Sequence, residues 1–140
     1  DIRAIRGGHI PNAINVPFED NWQDPNAAVK LSKKQVTDNS GMALKNTADL
    51  KKLYAKLDPD KETVVYCQSG VRASETATVL KSLGFKKVKV YDSSWLGWGN
   101  NLKAPVADEA FLNVGALNAK MAAMQNKINQ LEEALKAKNN

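Results

Sequence analysis

The chain has 140 residues, 43% hydrophobic and 25% charged, the composition of one folded domain with a real apolar core. Its formal charge of +5 comes from lysines spread along the whole length, without the Arg-rich stripe or aromatic interleaving of a nucleic-acid surface. No apolar run approaches a membrane span, one cysteine excludes an internal disulfide, and one cysteine with one histidine gives no metal-ligand spacing, so no nucleic acid, membrane, metal or cofactor is expected.

In chain order, residues 1–8 (DIRAIRGG) read as loop, and Ala13, Ile14, Asn15 and Val16, closed by Pro17, read as one short buried strand. Residues 19–41 are polar and broken by Pro25 and Gly41, which predicts loop with at most a helical turn over 27–33. From Asn46 the pattern turns helical. Asn46 or Thr47 can cap, Leu50, Leu53, Tyr54 and Leu57 share a face, and Asp58-Pro59 stops the helix. Thr63, Val64, Val65 and Tyr66 then predict a buried strand. A second helix from near Ala73 carries Ala73, Ala77, Leu80 and Leu83 on a face small enough to sit close to a sheet, and Gly84 ends it.

Residues 86–91 (KKVKVY) alternate charge and apolar character, as a half-exposed or edge strand does. Trp95 and Trp98 follow as candidate walls of a pocket, with ordinary core as the plainer alternative. From Leu117 the apolar residues recur in steps of four and three, placing Met121, Ile128 and Leu135 at a and Leu117, Met124 and Leu131 at d of a heptad seam. Lys127 at g and Glu132 at the next e can pair between parallel helices. Two expectations follow for this helix: a short coiled coil that forms a homodimer, or a terminal helix lying on its own protein.

The chemistry concentrates in CQSGVRAS, where a lone thiol sits between strand and helix. Residues 67–72 hold Gly70 for an unusual turn and can aim several N–H groups at an anion, while the following helix adds the positive end of its dipole. Such a site stabilises a thiolate.

CQSGVRAS resembles the active-site loop of rhodanese-like sulfurtransferases, and GGHIPNAINVPF is similar to their GHIPGAxNxP segment, with Asn12 in place of Gly and Ile5 where an aromatic is common. VKVYDSSWLGW resembles the segment that thiosulfate and mercaptopyruvate sulfurtransferases set beside that loop, with Ser93 for Gly and Gly97 for Glu. The resemblance implies an α/β fold, a mainly parallel sheet with helices on both faces, over residues 1–105, with 106–140 as a helical extension. It implies Cys67 as the nucleophile that takes a sulfane sulfur from thiosulfate, 3-mercaptopyruvate or polysulfide and passes it, through a persulfide, to cyanide or a thiol. Gln68, Ser69, Gly70, Val71 and Arg72 complete the ring; the neutral Gln68, Ser69 and Val71 face the entrance and commit to no one donor. Arg72 either meets an anionic donor or turns inward to a carboxylate, and the resemblance implies the inward role. The carboxylate would come from an Asp-x-Arg strand. Asp1-Ile2-Arg3 imitates that motif too close to His9, so the family's opening strands are expected to lie in a further N-terminal segment. His9 reads as a loop brace.

Three other readings compete, one of them a redox-sensing thiol, for which this sequence offers no second cysteine to resolve a sulfenic acid. Phosphatases and arsenate reductases of this general fold use a wider ring with one more residue than 67–72. A noncatalytic interaction module or sulfur carrier would use the C-terminal helix for assembly, but such modules typically lose the cysteine. A soluble chain is expected, with bacterial cytoplasm and periplasm both open.

Overall fold

The computed structural model describes residues 3–138; Asp1 and Ile2, and with them most of the Asp-x-Arg imitation, lie outside the described residues. Two compact units are present, residues 13–95 and residues 3–12 with 96–138.

In the first unit, Phe18–Asn21 forms a 3-10 turn and α1 spans Ala27–Ser32, the single turn of helix expected in this polar stretch. The segment closes on itself where the Gln23 N–H donates to the Ala43 carbonyl and the Lys45 N–H to that of Asn21, each at 2.8 Å. Helix α2 (Thr47–Leu53) starts at Asn46, whose Oδ1 accepts the Asp49 N–H at 2.9 Å while its Nδ2 donates to the Asp49 carboxylate. That reciprocal cap satisfies donors the first helical turn cannot.

Strands β1 (Glu62–Val65) and β2 (Lys87–Val90) pair in parallel, Glu62 opposite Lys87 through Val65 opposite Val90. Between them runs α3 (Val71–Ser82), long enough for the crossover that parallel pairing requires. It ends in a Schellman arrangement: Gly84 at φ +95° donates to the Lys81 carbonyl and Phe85 to that of Leu80. Leu50 and Tyr54 of α2 and its cap pack with Val79 and Leu80 of α3, joined by Leu53, Leu57, Val65, Leu83, Phe85 and Val88. The fold is therefore α/β with a short parallel sheet and flanking helices. The core lies on one face of the sheet only. Glu62, Val64, Lys87 and Lys89 of the other face are exposed, with Lys89 Nζ 2.6 Å from Glu62. A polar alternation of this kind lines no second apolar layer among the described residues.

The strand expected over residues 13–16 is also absent. Ile14 is 63% exposed, and among the described residues no backbone hydrogen bond ties 13–16 to a neighbour. Alternation fits a strand only where a partner exists to complete the ladder.

In the second unit, residues 3–12 are less free than a loop reading implies. Antiparallel bridges pair Arg6 with Leu112 and His9 with Ala107, and Ala4 and Ile5 are buried. Buried Arg6 donates to the carbonyls of Gly99, Asn101 and Ala104, closing the end of α4 (Ser94–Gly99), inside which the boundary between units falls. His9 braces as expected, with Nε2 2.9 Å from Asp108 and Nδ1 2.9 Å from the Ile10 carbonyl. Helix α5 (Val114–Lys138) begins at Asn113, whose Oδ1 accepts the Ala116 N–H. None of its residues is buried. Among the described residues no helix is long and apolar enough to cross a membrane.

Candidate active site

Cys67 stands two residues beyond the end of β1, where the chain leaves the sheet for α3. Its own peptide is fixed at both ends: the Cys67 N–H donates to Ser94 Oγ at 3.1 Å, and the Cys67 carbonyl accepts the Trp95 N–H at 3.0 Å. Ser94 is fully buried and its hydroxyl donates a hydrogen bond to the Tyr91 carbonyl at 2.8 Å. It does so at φ +47°, a left-handed conformation uncommon outside glycine. Strain held beside a reactive group is where such conformations concentrate.

The ring turns at Gly70, with φ +91°. A Cβ there would lie 2.6 Å from the Asp92 carbonyl oxygen, so both dihedral and space demand glycine. The turn brings the Gly70 N–H to 3.1 Å from Cys67 Sγ. Burial pushes the thiol up, but the backbone N–H groups of Ser69, Ala73, Gly70 and Arg72 around the sulfur favour its charged form and outweigh burial, bringing the thiol down to about 7. These donors stabilise charge on sulfur without a cationic side chain. Helix α3 begins at Val71, two residues before the expected start, because Gly70 lets the ring run directly into its first turn.

The remaining ring side chains are neutral. Gln68 is half-buried, and Ser69 and Val71 are exposed. Arg72 does not take the inward role. Its guanidinium is exposed and lies over the Phe18 ring, 5.3 Å from the centroid, because no carboxylate among the described residues takes it in. Phe18 in turn meets Trp22 edge-on at 5.1 Å, and Trp22 Nε1 donates to Glu75 at 2.8 Å. Trp95 is buried in the first unit, while Trp98 belongs to the second and donates its indole N–H to the Pro105 carbonyl. Sequence reading missed Ser94 and Phe18; a second serine opening α4 was the one local sign of the former. Among the described residues no group of three His, Cys, Asp or Glu side chains is placed to hold a metal ion.

A parallel strand, a thiol met by backbone donors and a following helix define a class of α/β domain built around a thiolate loop. The Rhodanese-like domain family matches residues 2–101, and the chain belongs to that family. A thiosulfate sulfurtransferase of Corynebacterium glutamicum is 45% identical over 104 residues, covering 74% of this chain and 29% of that protein. SseA of Mycobacterium tuberculosis is 36% identical over 104 residues, covering 74% and 30%. The chain thus spans less than a third of the length of these relatives. A structure of EanB in a cysteine-persulfide state with ergothioneine matches with a TM-score of 0.54 at 23% identity, covering 71% of this chain and 22% of that one, a likeness of fold.

Proposed function

We propose that this chain carries a sulfurtransferase site that moves a sulfane sulfur from a donor such as thiosulfate, or 3-mercaptopyruvate or polysulfide, to cyanide or a thiol through a persulfide on Cys67. One observation carries the reading: the Gly70 N–H bonds Cys67 Sγ at 3.1 Å inside a ring whose backbone N–H groups lower the thiol to about 7. With thiosulfate, the Cys67 thiolate attacks the outer sulfur, the S–S bond of the donor breaks, and sulfite leaves with that bond's electron pair. The product is Cys67–S–S⁻, and its charge falls to the same donors that met the thiolate, so no proton need move. Cyanide then takes the outer sulfur as thiocyanate and returns the thiolate. His9 has no part in this cycle, since no base is needed once sulfur is ionised.

Arg72, exposed at the end of the ring, is the cation offered to an anionic donor, and Gln68, Ser69 and Val71 tune the entrance. Residues 1–105 carry this chemistry, and 106–140 form an assembly element. The exposed seam of α5 favours one second reading, a sulfur carrier that is held in an assembly and turns over little by itself. Intact-mass measurement after incubation with thiosulfate tests both. The sulfurtransferase reading expects a gain of one sulfur, removed by cyanide with repeated turnover and lost in Cys67→Ser. Loading without turnover supports the carrier, and no loading refutes both.

A further inference from the structure

We propose that α5 is one half of a parallel, two-stranded coiled coil with a second copy of this chain. The structure extends the seam by one position, since α5 begins at Val114, seven residues before Met121 and therefore also at a. Val114, Met121, Met124, Ile128, Leu131 and Leu135 are each between 46% and 62% exposed, so no described residue covers this stripe. It holds to its unit near its start, where Lys120 Nζ donates to the Asn100 carbonyl and Leu117 is half-buried. A two-fold pair needs about 600 Å² per chain removed from water to reach the lower end of stable interfaces, and the seven apolar seam positions from Val114 to Leu135 are what such a pair would bury.

The choice of occupant rests on residue type and charge. At two of the four a positions β-branched Val114 and Ile128 stand with Leu117 and Leu131 at two of the three d positions, the combination that favours two parallel strands. In the parallel arrangement Lys127 at g meets Glu132 at e of the copy, twice by symmetry. In the antiparallel arrangement g faces g and e faces e, which over the full helix sets Lys127 beside its own copy and Glu132 opposite Asn118, so the Lys–Glu pairing is lost. Gln125 and Asn129 bond each other at 3.0 Å, one turn apart on the helix, and keep their polar atoms off the seam.

Sedimentation of the full chain at about 50 μM should give the mass of two chains, and Ile128→Asp should give one. Lys127→Glu should weaken the dimer several-fold and the added Glu132→Lys should restore it, a rescue that misfolding does not produce. In a Cys67→Ser background, Met121→Cys and Leu135→Cys should each oxidise to a link between identical positions. A monomer at this concentration, a trimer or larger assembly, or links formed only between 121 and 135 in a mixture of the two variants would each overturn the proposal.

Discussion

At Cys67, burial and backbone donors oppose each other and the donors win. A thiol at its ordinary value is only about 1% ionised at pH 7, whereas one held near 7 is about half ionised. Alkylation by iodoacetamide should therefore rise about tenfold per pH unit up to an inflection near 7 and then level off. An inflection at the ordinary value of 9.0 would show that the ring does not act on the sulfur. Ser94→Ala tests the support beneath it: the Cys67 N–H loses its buried acceptor, which should lower stability by about 1–3 kcal/mol and slow sulfur loading, read by denaturant unfolding and mass. His9 is the chain's single histidine, so its ring protons are readily assigned by NMR. The Ile10 carbonyl first, and then Asp108, raise its pKa above 6.5, so the folded state prefers imidazolium. That preference is fully present below the unfolded pKa and is lost as pH rises through the folded one; Asp108→Asn should move the NMR midpoint downward. The ring was legible in the sequence because its chemistry needs Cys, Gly and Arg in fixed local order. Ser94 and Arg6 were not, because each works on peptides about 27 or more than 90 residues away.

At the scale of elements, two glycines bracket α3 and separate two costs. Gly84 has φ +95° and no atom within 4 Å of where a Cβ would stand, so Gly84→Ala meets backbone strain alone, about 1–2 kcal/mol. Gly70 has a similar φ and the Asp92 carbonyl in the way, so Gly70→Ala must also displace the loop that holds Ser94. Thermal unfolding should show the larger loss at Gly70, and sulfur loading should fall there while Gly84→Ala loads as wild type. Equal stability losses would mean that the Asp92 contact yields without cost. The helices were readable because caps and faces are local: Asn46, the Leu50–Tyr54 face and Gly84 stand where the pattern places them. Residues 13–16 misled because a strand is a relation between two segments, and alternation in one says nothing about whether a neighbour is there.

Over the whole molecule, the donor capture proposed above draws on the +5 charge at long range and on Arg72 at short range. Scattered lysines attract any anion weakly at long range, and salt screens that attraction beyond about 10 Å at 0.1 M. Arg72 acts at close range, where screening is weaker, and no ion pair with a described residue competes for it. The proposed donors differ in charge, thiosulfate carrying two negative charges and 3-mercaptopyruvate one. Raising ionic strength should therefore lower kcat/KM for both, with the steeper fall for thiosulfate, because the attraction scales with the product of the charges. Arg72→Ala should raise KM for thiosulfate roughly tenfold, the worth of one charge-assisted contact, with a smaller change in kcat. It should also flatten the salt dependence without abolishing it, since the lysines remain. Stopped-flow loading of Cys67 across a salt series measures all of these together. A rate indifferent to salt in wild type would place donor capture in the neutral ring alone and leave Arg72 to its contact with Phe18.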